Sequence, residues 1–378
     1  MMKTLRRVLK DYWPSGILSG EAYLARLRSD PLFAKREISE NTDGMARKLC
    51  KHYQYFSLDY IKKILDHFRT DALINNPLCM RYIESELAPL NAQMDLLGRL
   101  KQNGFSVKDK TVLDIGCSNG CLLFASAKFG AAKVVGIDIS EDRLQKAREF
   151  LGSGLLTSKA ELWLIDIFSQ DLPYEKGRFD GIFSTNVLEH IPSVADYFRQ
   201  IQKYLNPAGF ALTSVCNKYN ISNILAEPHY GIPGLILLGR DEAADIWYAE
   251  RSKLNSHLDY EVFEWFLYDE YRSMALENSL DIVFLLDKYR PDFIDHCLGS
   301  YREIAHQQFK MVRDNLMGLG LAARHTGLLA GAIEKYFDEY KRDHAVKDIP
   351  PQKKIDLYLK YYAFVLEMIT RHKETEVI

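Results

Sequence analysis

From Thr111 onward, short β-branched runs alternate with stretches of helical periodicity, and this alternation restricts the chain more than any other of its features. Strand–helix–strand units of this kind build a parallel sheet, because a parallel neighbour is reached only through a crossover long enough to hold a helix. Strands are expected at Thr111–Ile115, Lys133–Ile137, Glu161–Ile165, Phe179–Ser184 and Gly209–Val215, with helices at Gly120–Phe129, Glu141–Phe150 and Val194–Tyr204 between them. A helix at Tyr268–Glu277 and a strand at Asp281–Leu286 continue the pattern. Residues 296–352 then read as wholly helical, and Tyr361–Ile369 as a strand returning to the sheet.

The region before Thr111 reads differently. Leu5, Val8, Leu9 and Tyr12 fall at helical spacing, as do Tyr60, Ile61, Ile64, Leu65 and Phe68. Asn75-Asn76-Pro77 is a breaker, since the residue before a proline is pushed away from the helical region. A helix is expected from Leu78 to Leu100, interrupted at Pro89 and ended near Asn103-Gly104. The resulting division is a helical extension over 1–85, a sheet domain over 86–290, a helical insertion or lid over 291–354, and a returning strand within 355–378.

Composition narrows the function. With 47% hydrophobic and 26% charged residues in 378, the chain has enough apolar material for a full-sized core. A net charge of −2 gives no field that would draw a nucleic acid. Lys3, Arg6, Arg7 and Lys10 form a short basic stretch, which suits either weak contact with an anionic membrane surface or a solvated helix face. The six cysteines form no C-x-x-C pair, so a zinc site built on paired thiolates is not expected. Lys10-Asp11 interrupt any signal-peptide core and no apolar run reaches membrane-spanning length, so a reduced, cytoplasmic protein is expected.

The chemistry concentrates after the first strand. Val112-Leu113-Asp114-Ile115-Gly116-Cys117-Ser118-Asn119-Gly120 is a strand, a glycine-rich turn and a helix start. Gly116 permits the tight turn and Gly120 a close backbone approach, while the helix N-terminus offers free N–H groups to an anionic ligand group. Asp114 is placed to accept from an ammonium or a water. At the next strand end Asp138, 24 residues beyond Asp114, suits a bidentate grip on two ribose hydroxyls. Asp166 ends the third strand and would reach the exocyclic amine of an adenine, with Ile139 and Ile167 sandwiching the ring. Each Asp taken alone reads more readily as a helix cap, Asp138 before Ser140-Glu141 especially, and it is the three together that favour the binding reading.

VLDIGCSNG, VVGIDIS, LIDIF and FDGIFSTNVLEHIP together resemble the motif series of class I S-adenosylmethionine-dependent methyltransferases, nearest to the ubiquinone-biosynthesis-type group acting on small molecules. The likeness is strong over 111–216, weaker to about 290, and absent from the N-terminal helices and from 296–352. It implies a doubly wound, Rossmann-like, seven-stranded α/β sheet with S-adenosylmethionine as cofactor. Gly116, Cys117, Ser118 and Gly120 would line its methionine portion, Asp138 its ribose and Asp166 its adenine, with Asn186 beside the sulfonium. Ser118 departs from the family, which often has glycine there.

Rival readings of the same residues exist. Gly116-Cys117-Ser118-Asn119-Gly120 formally matches the G-x-S-x-G elbow of serine hydrolases, with Ser118 as nucleophile. That fold expects several strands before the elbow, where this chain has helices, and it has no use for Asp138 and Asp166. A domain that keeps the cofactor pocket without turnover is the other alternative. For methyl transfer, His190 is the candidate general base or positioning group, with Glu189 beside it. Glu189, His190 and His229 also have the ligand types of a divalent metal site. Some methyltransferases bind a metal on an E-x-x-E-H loop, but here the first position is Asn186, and no metal is assigned. The apolar stretch His229–Gly239 reads as a wall of the acceptor pocket, and the acceptor as a small molecule or a glycan- or lipid-linked intermediate methylated on oxygen. No N/D-P-P-Y/F motif follows the fourth strand, which speaks against a nucleic-acid substrate.

Overall fold

A computed structural model describes residues 21–53, 56–69, 74, 79–153, 159–254, 256 and 258–373. The basic stretch from Lys3 to Lys10, the helix expected around Leu5–Tyr12 and the Asn75-Asn76-Pro77 breaker lie outside them. The chain divides into two compact units.

The first unit holds the described residues before Val107, together with Ser118–Phe129 and Asp142–Ala160. It is built from the helices Glu21–Ser29, Pro31–Glu40, Thr42–His52, Leu58–His67, Cys79–Gln102, Cys121–Lys128 and Glu141–Ser153. Local signals start two of them: Asp30 accepts from the Phe33 N–H ahead of Pro31, and Ser57 accepts from the Tyr60 N–H. Ile61 and Leu65 turn inward as their spacing predicts. Phe150 packs against Phe56, Tyr60 and Phe124 with ring centroids 5.4, 5.1 and 5.1 Å apart. The expected interruption at Pro89 is absent, since one helix runs from Cys79 through Pro89 to Gln102 and also carries the chain across residue 85. Ile83, Leu87, Leu90, Leu97 and Leu100 are all buried along it, and that burial outweighs the hydrogen bond that proline forgoes.

The second unit carries a seven-stranded sheet: β1 (Thr111–Ile115), β2 (Lys133–Asp138), β3 (Ala160–Leu164), β4 (Phe179–Thr185), β5 (Leu205–Cys216), β6 (Leu280–Phe284) and β7 (Val365–His372). The strand order is β3-β2-β1-β4-β5-β7-β6. β1 is buried along its whole length and pairs in parallel with β2 on one side and β4 on the other. The order therefore reverses direction between β1 and β4, and open α/β sheets gather ligands at the carboxyl ends of the strands flanking such a point. β7 returns antiparallel between β5 and β6, so Tyr361–Ile369 does supply a strand, displaced to Val365–His372. The fold is the expected α/β, doubly wound, Rossmann-like sheet.

Between β6 and β7 come the helices Pro291–Gly299, Tyr301–Gly318, Ala323–His344 and Pro351–Leu357. They are not a detached layer. Leu316, Leu329, Ile333, Tyr336 and Phe337 are buried in the same apolar cluster as Leu113, Val135 and Ile182 of the sheet. Polar contacts lock the arrangement. The Asn217 amide donates to the carbonyls of Leu359 and Ala363 at 2.8 and 2.7 Å, and Asn220 and Asn223 donate to those of Tyr362 and Phe364. The loop after β5 is thereby fastened to the turn that leads into β7.

Candidate functional site

The carboxyl ends of β1, β2 and β4 place the expected residues in three different environments. Gly116 and Cys117 both donate their N–H groups to the Ile137 carbonyl at 2.9 Å, which ties the turn after β1 to the end of β2. Gly116 has φ +73°, and a Cβ there would meet Val187 Cγ2 at 2.5 Å, so the residue is required both by the turn and by the loop after β4. The rest of this turn belongs to the helical unit. Ser118 takes φ +48°, and Gly120, at φ +80°, caps the helix Cys121–Lys128 and faces Ala147 and Leu151. The close approach expected of Gly120 is thus, in this structure, an approach to a neighbouring helix.

Asp114 is buried in mid-sheet. Burial, reinforced by the nearby Asp138, pushes its carboxyl well above the usual carboxylate range. Asp138 is also buried and accepts from the Ser140 N–H at 2.9 Å, a local turn ahead of the helix Glu141–Ser153 that uses one carboxylate oxygen. Asp166 is exposed and likewise holds the Phe168 N–H at 2.9 Å. The two isoleucines assigned to one ring differ sharply: Ile139 is 76% exposed, whereas Ile167, at 3%, is already packed in the core. Asn186 is exposed at the end of β4 in a left-handed conformation, φ +55°, which Asn tolerates better than most residues.

After β4 a short 3-10 turn, Leu188–His190, buries Glu189 completely. Neither oxygen of its carboxylate has a hydrogen-bond partner among the described residues. Desolvation lifts its pKa to about 7. The loop after β5 brings in His229, the expected metal-ligand candidate at the head of the His229–Gly239 stretch. Its Nδ1 lies 3.0 Å from Glu227 Oε1, and Glu227 Oε2 accepts from the N–H groups of His229 and Tyr230. Burial works against a charge on His229, but the hydrogen bond and the carboxylates of Glu227, Glu189 and Glu261 outweigh it and raise its pKa. The His190 and His229 rings meet edge to face at 4.9 Å. Ligand atoms of Glu189, His190 and His229 all lie within 4.8 Å of one another, so the three come together as expected.

Glu227 was missed as a site residue, and so was the pinning of a distant segment onto this loop. The Phe263 N–H donates to the Glu189 carbonyl at 2.6 Å, and His190 Nδ1 lies 3.2 Å from the Glu261 carbonyl. Nothing in the local pattern around Glu261–Phe263 signals that contact, which joins residues about seventy positions apart.

A mixed sheet with a parallel β1–β2 and β1–β4 core, this switch point, a glycine turn at β1 and acids after the neighbouring strands has the layout of a Rossmann-like domain. Residues 106–251 match the family model of a methyltransferase domain. The ubiquinone biosynthesis O-methyltransferase of Bordetella bronchiseptica is 32% identical over 137 residues, covering 36% of this chain and 55% of that protein. The protein of that name from Hydrogenovibrio crunogenus is 34% identical over 121 residues, covering 32% of this chain and 48% of that one. The chain thus spans about half the length of these curated relatives. A crystal structure of an S-adenosylmethionine-dependent methyltransferase from Mesorhizobium loti is 20% identical, covering 51% of this chain and 84% of that one, with a TM-score of 0.39. Over residues 106–251 the chain is thus similar to methyltransferase domains.

Proposed function

We propose that the protein transfers a methyl group from S-adenosylmethionine to an oxygen of a small molecule or of a glycan- or lipid-linked acceptor. The observation that carries this reading is Glu189, a fully buried carboxylate with both oxygens unpartnered beside two histidines, at the rim where β4 and β5 end. Such a group is costly to keep in a fold unless a ligand uses it.

The residues present fit the cofactor. The turn from Gly116 suits its methionine end, Asp138 and Asp166 suit its hydroxyls and amine, and exposed Ile139 gives an apolar shelf for a flat ring. Asn186 and buried Asp114 complete the set assigned to it. Bound there, the cofactor supplies a methyl group already activated on a sulfonium. The chain's own task is then to orient the acceptor and take up its proton. His190 serves as base or positioning group, with Glu189 and the Glu227-held His229 able to share the proton. A second reading rests on the same cluster. A divalent ion held by Glu189, His190 and His229, with Glu227 orienting His229 from behind, would orient a vicinal diol and acidify it.

The acceptor side is walled by the loop after β5 and by residues 291–354, read as an insertion. Tyr336 donates to the Tyr219 carbonyl at 2.9 Å, and a Cβ on Gly234 would meet Ile333 at 2.8 Å. Because its side chains share the sheet's core, the insertion is read as a fixed wall rather than a removable lid. No described helix is long and apolar enough to cross a membrane.

Calorimetric titration with S-adenosylmethionine tests the first step. Ligand at 100 times its dissociation constant should stabilise the wild type by about 2.7 kcal/mol, and Asp138→Asn should lose most of that shift. Release of S-adenosylhomocysteine in the presence of a metabolite extract tests the second, and loss of that release on EDTA treatment would favour the metal reading. No binding at millimolar cofactor would end the proposal.

A further inference from the structure

Arg240 opens the helix Arg240–Glu250 and is only half exposed, yet its guanidinium is spent on no carboxylate. Its Nη1 is buried without a hydrogen-bond partner, and among the described residues it forms no ion pair. It stacks on a ring: Cζ lies 3.6 Å from the centroid of Phe263. A guanidinium stays charged at any physiological pH, so burying its Nη1 donors without a partner carries a desolvation cost. Stacking on an aromatic face returns about 0.5–2 kcal/mol, which leaves the donors unsatisfied.

No acid of the adjoining segments pairs with Arg240 among the described residues. Glu227 is held by His229 and Tyr230, Asp259 by Arg251, and the Glu261 side chain is exposed. Asp241 and Glu242 lie in the helix's own first turn, where they answer its dipole, and neither pairs with Arg240.

The position of this orphaned fork matters as much as its charge. Phe263, on which it lies, hangs from a segment fastened to the site loop by two hydrogen bonds, Phe263 N–H to Glu189 and His190 to Glu261. Arg240 is therefore one ring removed from the Glu189–His190–His229 cluster.

We propose that the methyl acceptor carries an oxyanion, a carboxylate or a phosphate monoester, and that Arg240 binds it in a bidentate fork pre-oriented by Phe263. The anchor fixes one end of the acceptor while its hydroxyl lies at the cluster. The assignment rests on the methyl-transfer reading for the identity of the ligand, but the anion site itself is testable without turnover.

The experiment is equilibrium binding of benzoate, phenyl phosphate and benzyl alcohol to the full chain, with S-adenosylmethionine titrated in parallel on the same preparation. The wild type should bind at least one of the two anions and prefer it to benzyl alcohol. Arg240→Met should weaken that anion by about 10- to 100-fold, and Arg240→Lys should fall between, because an ammonium lacks the fork. Cofactor binding and the melting temperature should stay near wild type in the lysine variant. Anion affinity unchanged in Arg240→Met, no preference over benzyl alcohol, or no anion bound at all would each overturn the proposal. Anion binding without cofactor binding would instead sink the methyl-transfer reading and leave the anion site standing.

Discussion

Two buried polar clusters of the sheet-bearing unit differ in a way that separates structure from function. In one, Glu250 accepts from His325 Nδ1 at 2.5 Å, from the Ala322 N–H at 2.9 Å and from Lys253 at 2.7 Å. Arg324 donates to His325 Nε2, so the proton sits on Nδ1 and every group has its partner. In the other, Glu189 is equally buried and has none. Their carboxyl pKa values separate accordingly. Burial would raise Glu250, but its three hydrogen bonds bring it down to about 2, whereas burial, with the Glu227 carboxylate nearby, carries Glu189 up to about 7 against the pull of His229. The saturated cluster fastens helix to helix; the unsaturated one is the group that the proposed function assigns to a ligand.

The sharpest way to break that comparison is to make both carboxyls neutral or absent. Glu189→Gln keeps the shape and should lower turnover by about 100- to 10,000-fold, the range for loss of a positioned proton carrier, while the melting temperature at neutral pH holds or rises. A stable variant with full activity would show that Glu189 is a passive core residue. Glu250→Ala should do the reverse. Leaving His325 and the Ala322 N–H unpaired should cost about 3–5 kcal/mol of stability with cofactor affinity retained in the folded fraction, measured by denaturant melts.

The pH dependence sharpens it further, with opposite signs. Glu250 is more acidic folded than its ordinary 4.5, so its stabilisation is complete above that value and fades as pH falls toward about 2. Glu189 holds a proton in the folded chain that the unfolded chain releases, so stability declines as pH rises from about 4.5 to about 7. Stability curves of Glu189→Gln should lack that second slope; an unchanged slope would place its origin elsewhere. The smallest effect is expected at the insertion, where Tyr336→Phe removes one hydrogen bond to the Tyr219 carbonyl and should cost about 1 kcal/mol. A loss of turnover larger than the loss of stability would give the insertion an active part.

What the sequence determined by itself is everything written in short-range pattern. Alternating apolar runs located the strands around Asp114, Asp138 and Asp166, and glycine marked where the backbone must take positive φ, at Gly116. Helical spacing delimited Val194–Tyr204 and Tyr268–Glu277 to the residue. Only the tertiary structure decided the rest, because it depends on which distant segments meet. Pro89 continues a helix because five apolar side chains along that helix are buried, a fact of packing and not of propensity. Ile139 and Ile167, alike in sequence context, part company because one side chain falls into the core and the other into solvent. Glu227 became the holder of His229, and Arg240 the neighbour of the site through Phe263, by hydrogen bonds and contacts between loops. Desolvation follows the same logic: a glutamate's pKa is set by the water it has lost, and local sequence carries no count of that water.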